Sequence, residues 1–435
     1  MIKLLLRFDK ISEKISFFLI ILAVLISFYT LEPPPTDFVM LAGIGFALLS
    51  IIINRRFNFI KKYDWFLVAF LVFSSLQAVL SKNTNLLFHL VTVYLVFSYF
   101  AIKYVLVDKE RVKKFISVYI ISTLITAVSM ILQLILFYTF DIKEISRFLY
   151  AKRPAGFFKD ANVAGPTSVL SVVMLSYKYI EKGDFLRFLL PLFVVSLGIF
   201  ISFSRTAVGG LGLAGLGFLI IFWPEINKNI KRLLAIIAAL FLIAGFLLLY
   251  APTRELTVLR YTKLVQKYDI GGRFFSWNTG LRGMVNNLGG SGSGSFESLS
   301  LEEQSREIEE EGVDKVLQDL GLKGELSQGD IIVTKSGETK VITRSAHSTY
   351  LRVIRENGII GFLLLVAFFA SLAAVSFKRI YSNYKKITWI VKVAFVGYIV
   401  YLASGLVIDT LHWRILWYAT ALLSASLEID YAEKT

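Results

Sequence analysis

Twelve long apolar runs succeed one another along this chain, and one polar stretch, Ala251 to Ser345, interrupts them. About 20 helical residues at roughly 1.5 Å each cross a hydrocarbon core of about 30 Å, so runs of this length read as membrane spans. In lipid only helices or a closed barrel satisfy every backbone polar group, and the runs lack the strict alternation of a barrel strand. The spacing predicts spans over 15–31, 38–53, 64–80, 85–107, 114–140, 162–180, 185–202, 205–223, 232–250, 358–377, 388–408 and 411–427. Composition agrees. Charged residues make up 18% of the chain and the mean hydropathy is +0.65, where a soluble domain carries about 25% charged residues.

The expected fold is therefore an all-α polytopic membrane protein of about 12 transmembrane helices, divided as spans one to nine (1–250), an extracytoplasmic segment (251–357), then spans ten to twelve with a tail (358–435). The first run follows Lys3, Arg7, Lys10 and Lys14 and precedes Glu32-Pro33-Pro34-Pro35 rather than a small-residue cleavage site. It reads as a retained anchor. With the N-terminus inside, the inner segments hold 24 lysines and arginines and the short outer loops eight. That bias places both termini in the cytoplasm and the polar stretch outside.

The net charge of +15 then belongs to a cytoplasmic collar that favours anionic headgroups. No basic cluster sits on a soluble module, so nucleic acid is not an expected partner. The absence of cysteine excludes disulfides and thiolate chemistry.

Some basic residues fall on the outer side against this bias. Lys143, Arg147, Lys152, Arg153 and Lys159 share one short outer loop. Arg205 lies in Ser202-Phe203-Ser204-Arg205-Thr206, between two apolar runs with almost no connecting loop. An unpaired charge is expensive there, so it either snorkels to headgroup phosphate or serves an anionic ligand. Arg273, in Gly271-Gly272-Arg273-Phe274-Phe275-Ser276-Trp277-Asn278, opens an expected amphipathic surface helix whose Arg273 and Trp277 share a face. Guanidinium presents a planar fork that matches phosphate oxygens, so arginines meeting at one point read as a diphosphate clamp.

Only three histidines occur, His89, His347 and His412, all near the expected outer face. His347 stands where the polar stretch returns to the membrane. Its imidazole, with a reference pKa of about 6.5, could accept a proton from a sugar hydroxyl, or could simply hydrogen-bond locally. His89 and His412 read as polar contacts between helices.

Four segments, in order, resemble the O-antigen ligase and polymerase family of membrane glycosyltransferases. They are Arg153-Pro154-Ala155-Gly156-Phe157-Phe158-Lys159-Asp160-Ala161-Asn162; Phe203-Ser204-Arg205-Thr206-Ala207; Gly272-Arg273 with Trp277 and then Gly290 to Phe296; and His347-Ser348-Thr349-Tyr350-Leu351 with Glu356-Asn357-Gly358-Ile359-Ile360-Gly361. The resemblance covers about 150–361. It implies an enzyme of the cytoplasmic (inner) membrane, working at its extracytoplasmic face. There it takes a glycan from an undecaprenyl-diphosphate carrier and passes it to a glycolipid or glycan acceptor. It implies that Arg205 and Arg273, with Arg153, hold the donor, that His347 activates the acceptor hydroxyl, and that Asn162, Trp277 and Tyr350 support them. No metal or other cofactor is expected, because fixed arginines and one base suffice for a donor with a good leaving group. Ligase and polymerase differ only in acceptor. A transporter or lipid-carrier flippase is the rival of another class, and it should carry ionisable residues at the midplane and related halves. The spans offer little beyond Gln77, Gln133 and Lys392.

The polar stretch departs from the family pattern. Ser300-Leu301-Glu302-Glu303 resembles a capping box, and apolar spacing predicts a helix over about 301–320. Residues 330–334 and 339–343 flank Lys335-Ser336-Gly337-Glu338 as a hairpin would. A small helix-plus-hairpin insertion between spans nine and ten is expected, either guiding the acceptor or shielding the cleft. The run Gly289 to Ser295 is either a flexible connector or a set of amides cradling phosphate. The glycines from Gly209 to Gly217 read as close helix packing.

Overall fold

The structure is a computed structural model, and it describes residues 2–28, 34–54, 57–142, 144–145, 149–150, 153–250, 253–254, 257–258, 277, 280–285, 287–300, 302–303, 331–333, 339–341 and 346–432. Arg273, Lys143, Arg147, Lys152 and most of the expected 301–320 helix lie outside the described residues.

The chain is an all-α membrane protein. Its main helices are α1 (Ile2–Leu25), α2 (Pro35–Asn54), α3 (Asp64–Leu80), α4 (Leu86–Val105), α5 (Lys109–Tyr138), α6 (Ala161–Thr167), α7 (Val169–Lys182), α8 (Leu190–Ile201), α9 (Arg205–Lys228), α10 (Ile230–Leu249), α11 (Thr349–Ser382), α12 (Trp389–Ser404) and α13 (Arg414–Ala432). Among the described residues seven helices are long and apolar enough to cross a membrane, and three more are shorter but apolar. Small antiparallel pairs join β1 (Leu149–Tyr150) to β2 (Arg153–Pro154) and β3 (Ile331–Val333) to β4 (Thr339–Val341).

The core lies among α1 to α5 and α7 to α13, with Trp417, Tyr99, Tyr119, Tyr398 and Tyr401 fully buried. α9 and α12 run antiparallel. Glu225 pairs with Lys392 at 3.1 Å near one end, a Cβ on Gly217 would touch Val396 at 3.3 Å, and one on Gly210 would touch Val400 at the same distance. Close packing thus accounts for Gly210 and Gly217, whereas a Cβ on Gly209, Gly212 or Gly215 meets nothing within 4 Å.

Two breaks depart from uniform spans. The sixth apolar run is two helices, because Pro166 cannot donate and Ser168 separates α6 from α7. The carbonyls left there are taken by tyrosines: Tyr401 Oη donates to Pro166 O at 3.1 Å and Tyr119 Oη to Thr167 O. Buried backbone acceptors need such partners in lipid. The second break is in α11, which starts at Thr349 but is interrupted at Gly358 (φ +66°, ψ −174°), where the expected tenth span begins. Only glycine tolerates that conformation readily.

Candidate active site

Two short segments repeat one local design. In Phe203-Ser204-Arg205 and His347-Ser348-Thr349, a left-handed residue (φ +49° at Phe203, +46° at His347) precedes a serine that caps a helix. Ser204 Oγ accepts from the Ala207 amide at 3.3 Å and Ser348 Oγ from the Leu351 amide at 3.5 Å. The caps satisfy one orphan donor each at the positive helix ends. A left-handed bulky residue is costly and persists only where its surroundings fix it. At His347 the surroundings are α12's end: the Thr349 amide donates to Gly405 O at 2.8 Å, and Tyr350 Oη donates to Leu402 O at 2.8 Å.

These contacts bring the two segments to the same end of the bundle. Gly210 faces Val400 and Ser404, so Arg205, five residues toward the N-terminus of antiparallel α9, lies level with the chain beyond Ser404. That is where Gly405 holds the α11 start. Arg205 is partly exposed, as is His347.

Arg153 reinforces this end. It is 4% exposed, and its Nη1 donates to Asn162 Oδ1 at 3.0 Å and Phe203 O at 3.4 Å. Gly165 lets α6 press onto the α8–α9 turn, since a Cβ there would stand 2.5 Å from Ser202 Oγ and 2.8 Å from Ala207 Cβ. Gln133 clasps the preceding turn, accepting from the Ala155 and Gly156 amides at 3.1 and 2.9 Å. Asp160 caps α6 through the Asn162 amide at 2.7 Å, and burial raises its carboxyl above the usual range despite that bond and nearby Arg153. Arg153, Asn162 and Arg205 are therefore gathered, with Arg153 acting as a buried strut.

The Gly-Ser run is neither loose nor an open cradle. The Ser291 and Gly292 amides donate to the Arg355 and Glu356 carbonyls at 3.0 and 2.8 Å, and the Phe296 amide donates to Glu356 Oε1 at 3.2 Å. Gly290, Gly292 and Gly294 all have positive φ. Gln77 donates to Gly289 O and accepts from Asn357 Nδ2 at 3.2 Å, while Asn357 also reaches Ser293 Oγ at 3.3 Å. The Gly-Ser segment and the Glu356-to-Gly361 segment are thus two halves of one joint. Trp277 is helical, and Gly280 and Gly283 approach Leu351 and Arg355 of α11.

Sequence reasoning missed Arg352 and Arg355, which sit one and two turns into α11 and are 3% and 2% exposed. Arg352 meets Asp409 at 3.1 Å and Glu297 at 3.4 Å, and its guanidinium lies 4.7 Å from the Phe88 ring centre. Arg355 meets Glu303 at 2.8 Å. Burial alone would raise the Asp409 carboxyl, but Arg352 and His412 outweigh it and hold it below the usual range. The signal available was a basic pair three apart next to an apolar run. His89 of α4 bonds Ser75 of α3 and Ser293 of the Gly-Ser run, and His412, just before α13, bonds Thr92 of α4 and Asp409. Among the described residues no group of three histidines or carboxylates could hold a metal ion.

A cationic helix start beside a histidine-led helix start can stabilise an anion and accept a proton at one boundary. Comparison with curated proteins gives no match. The family model described as O-antigen ligase matches residues 190–319, a segment that includes Arg205, Arg273 and Trp277 but not Arg153, Asn162, His347 or Tyr350. Over that segment the chain is similar to the O-antigen ligases, and its long apolar helices mark it as an integral membrane protein.

Proposed function

We propose that this protein transfers a glycan from an undecaprenyl-diphosphate carrier to a hydroxyl of a glycolipid acceptor, such as a lipid-A core. The reaction runs at the extracytoplasmic face of the inner membrane. The observation that carries this reading is the placement of Arg205 and His347 at two capped helix starts on one end of the bundle. His347 takes the proton of the acceptor hydroxyl as its oxygen bonds to the anomeric carbon. The bond from that carbon to the diphosphate breaks, and the departing negative charge falls to Arg205 and Arg273. Guanidiniums fixed before the reaction stabilise that charge without reorganisation. Arg153 serves the donor site through Asn162 and Phe203, and Tyr350 holds the His347 turn on α12. No metal takes part.

A polymerase would use the same groups with a second carrier-linked repeat as acceptor. One assay separates these outcomes: purified protein with a carrier-linked glycan and either a lipid-A core or a second glycan carrier. Single addition to the core supports the ligase. Chain growth on the carrier assigns the protein as a polymerase, and no transfer to either acceptor overturns the reading.

A further inference from the structure

The opposite end of the bundle holds a cavity of about 570 Å³. α4 fixes its position. Asn85, just before α4, bonds the Gly-Ser run through its amide to Ser293 O, whereas Lys103 and Tyr104 at the α4 C-terminus line the cavity. Twenty residues of helix separate those ends, about 30 Å at the usual rise. Val375 and Arg379 near the α11 C-terminus, and Leu427 and Glu428 near the α13 C-terminus, complete the walls.

The lining has two chemistries. Lys61, Lys62, Lys103 and Arg379 bring four cations. Lys103 is buried and satisfied, 2.5 Å from Asp64 and 2.9 Å from Glu428. Lys61 reaches Glu428 at 3.5 Å and donates to Asn58 O at 2.9 Å, and Arg379 donates to Leu427 O at 2.7 Å. Lys62 is exposed and makes no hydrogen bond or ion pair among the described residues. Counting Asp64 and Glu428 against Lys61, Lys62 and Lys103 leaves one positive charge, at the exposed Lys62. The rest of the wall is largely apolar (Phe59, Tyr104, Val375, Leu427), and it runs onto exposed apolar surface at Val107 and Phe57.

We infer that this cavity binds one anionic glycerophospholipid, its phosphate between Lys61 and Lys62 and an acyl chain along Phe59 and Val375. The one excess charge matches the single negative charge of a phosphodiester, and a free phosphate would have no use for the apolar wall. This inference is independent of the transfer chemistry, since it concerns the other end of the helices.

The test uses the full protein in detergent, offered equal phosphatidylglycerol and phosphatidylcholine and read by native mass spectrometry. Glycerol phosphate serves as a competitor without chains. The wild type should retain phosphatidylglycerol over phosphatidylcholine by about tenfold, the preference expected where lysines face a lipid of net negative charge rather than a zwitterionic one. Lys62→Gln should weaken that preference, the double change Lys61→Gln with Lys62→Gln should abolish it, and Val375→Trp should lower retention by filling the cavity. Glycerol phosphate should not displace the lipid. Equal retention of the two lipids by the wild type would overturn the proposal, as would full preference in the double variant. Displacement by glycerol phosphate would also overturn it, in favour of a soluble phosphate ligand.

Discussion

The Phe296 amide donates to the Glu356 carboxylate across 3.2 Å, and this bond joins the Gly-Ser run to the helix that follows His347. Glu356 also accepts from the Gly292 amide through its carbonyl, at 2.8 Å. The joint fixes the first turns of α11, and so the backbone on which His347 is held in its left-handed conformation.

The joint predicts a sharp contrast between two glycines. A Cβ on Gly292 (φ +102°) would stand 2.4 Å from Thr84 Oγ1, whereas one on Gly212 meets nothing within 4 Å. Gly292→Ala should destabilise the protein by about 1–3 kcal/mol, the usual cost of a disfavoured backbone conformation. Gly212→Ala should be neutral or stabilise by up to about 1 kcal/mol, as alanine does inside a helix. Thermal unfolding in detergent reads both. Equal midpoints would mean that the run is only a connector.

Arg153 should behave as a strut that depends on its planar fork. Arg153→Lys keeps the charge but cannot serve Asn162 and Phe203 O together with the same geometry. We expect transfer to fall by about tenfold or more with little change in Tm, a loss of about 1.4 kcal/mol in transition-state stabilisation. Asn162→Ala should act alike, and the double variant should lose less than the sum of the two. Additive losses would separate the two residues.

Asp409 sets a stability dependence on pH. Its carboxyl lies below the usual range when folded, because Arg352 and His412 outweigh the effect of burial. A depressed carboxylate contributes stability that is present above its unfolded pKa, about 3.9, and is lost as pH falls toward the folded value. The wild type should therefore lose Tm progressively below about pH 4. Asp409→Asn should lower Tm at neutral pH and flatten that acid limb. An unchanged acid limb in the variant would remove Asp409 from this role.

Metal removal should be silent. Departure of the diphosphate is assigned to guanidiniums, so EDTA should leave turnover unchanged. A loss restored by Mg²⁺ would contradict the assignment.

The membrane character was legible because apolar length is a nearly sufficient signal in lipid. The interruption at Pro166 could be read from its missing amide, but its rescue by Tyr119 and Tyr401 could not, since those hydroxyls come from helices far apart in sequence. At the site, Arg153, Arg205 and His347 stood out because charge and imidazole are rare near the ends of apolar runs. Arg352 and Arg355 did not, because their meaning depends on partners more than 50 residues away, Glu297, Glu303 and Asp409. Gln77 and Gln133 looked like isolated polar residues in spans, and each proves to clasp a loop at the site end.

Transfer by purified protein, compared among the wild type, Arg205→Ala and His347→Ala at matched folding, tests the central claim most directly. Losing the base should cost roughly 10²–10⁴-fold, and losing a fixed donor to the leaving group roughly 10²–10³-fold, while both variants keep the wild-type unfolding midpoint. Wild-type turnover in His347→Ala would contradict the account.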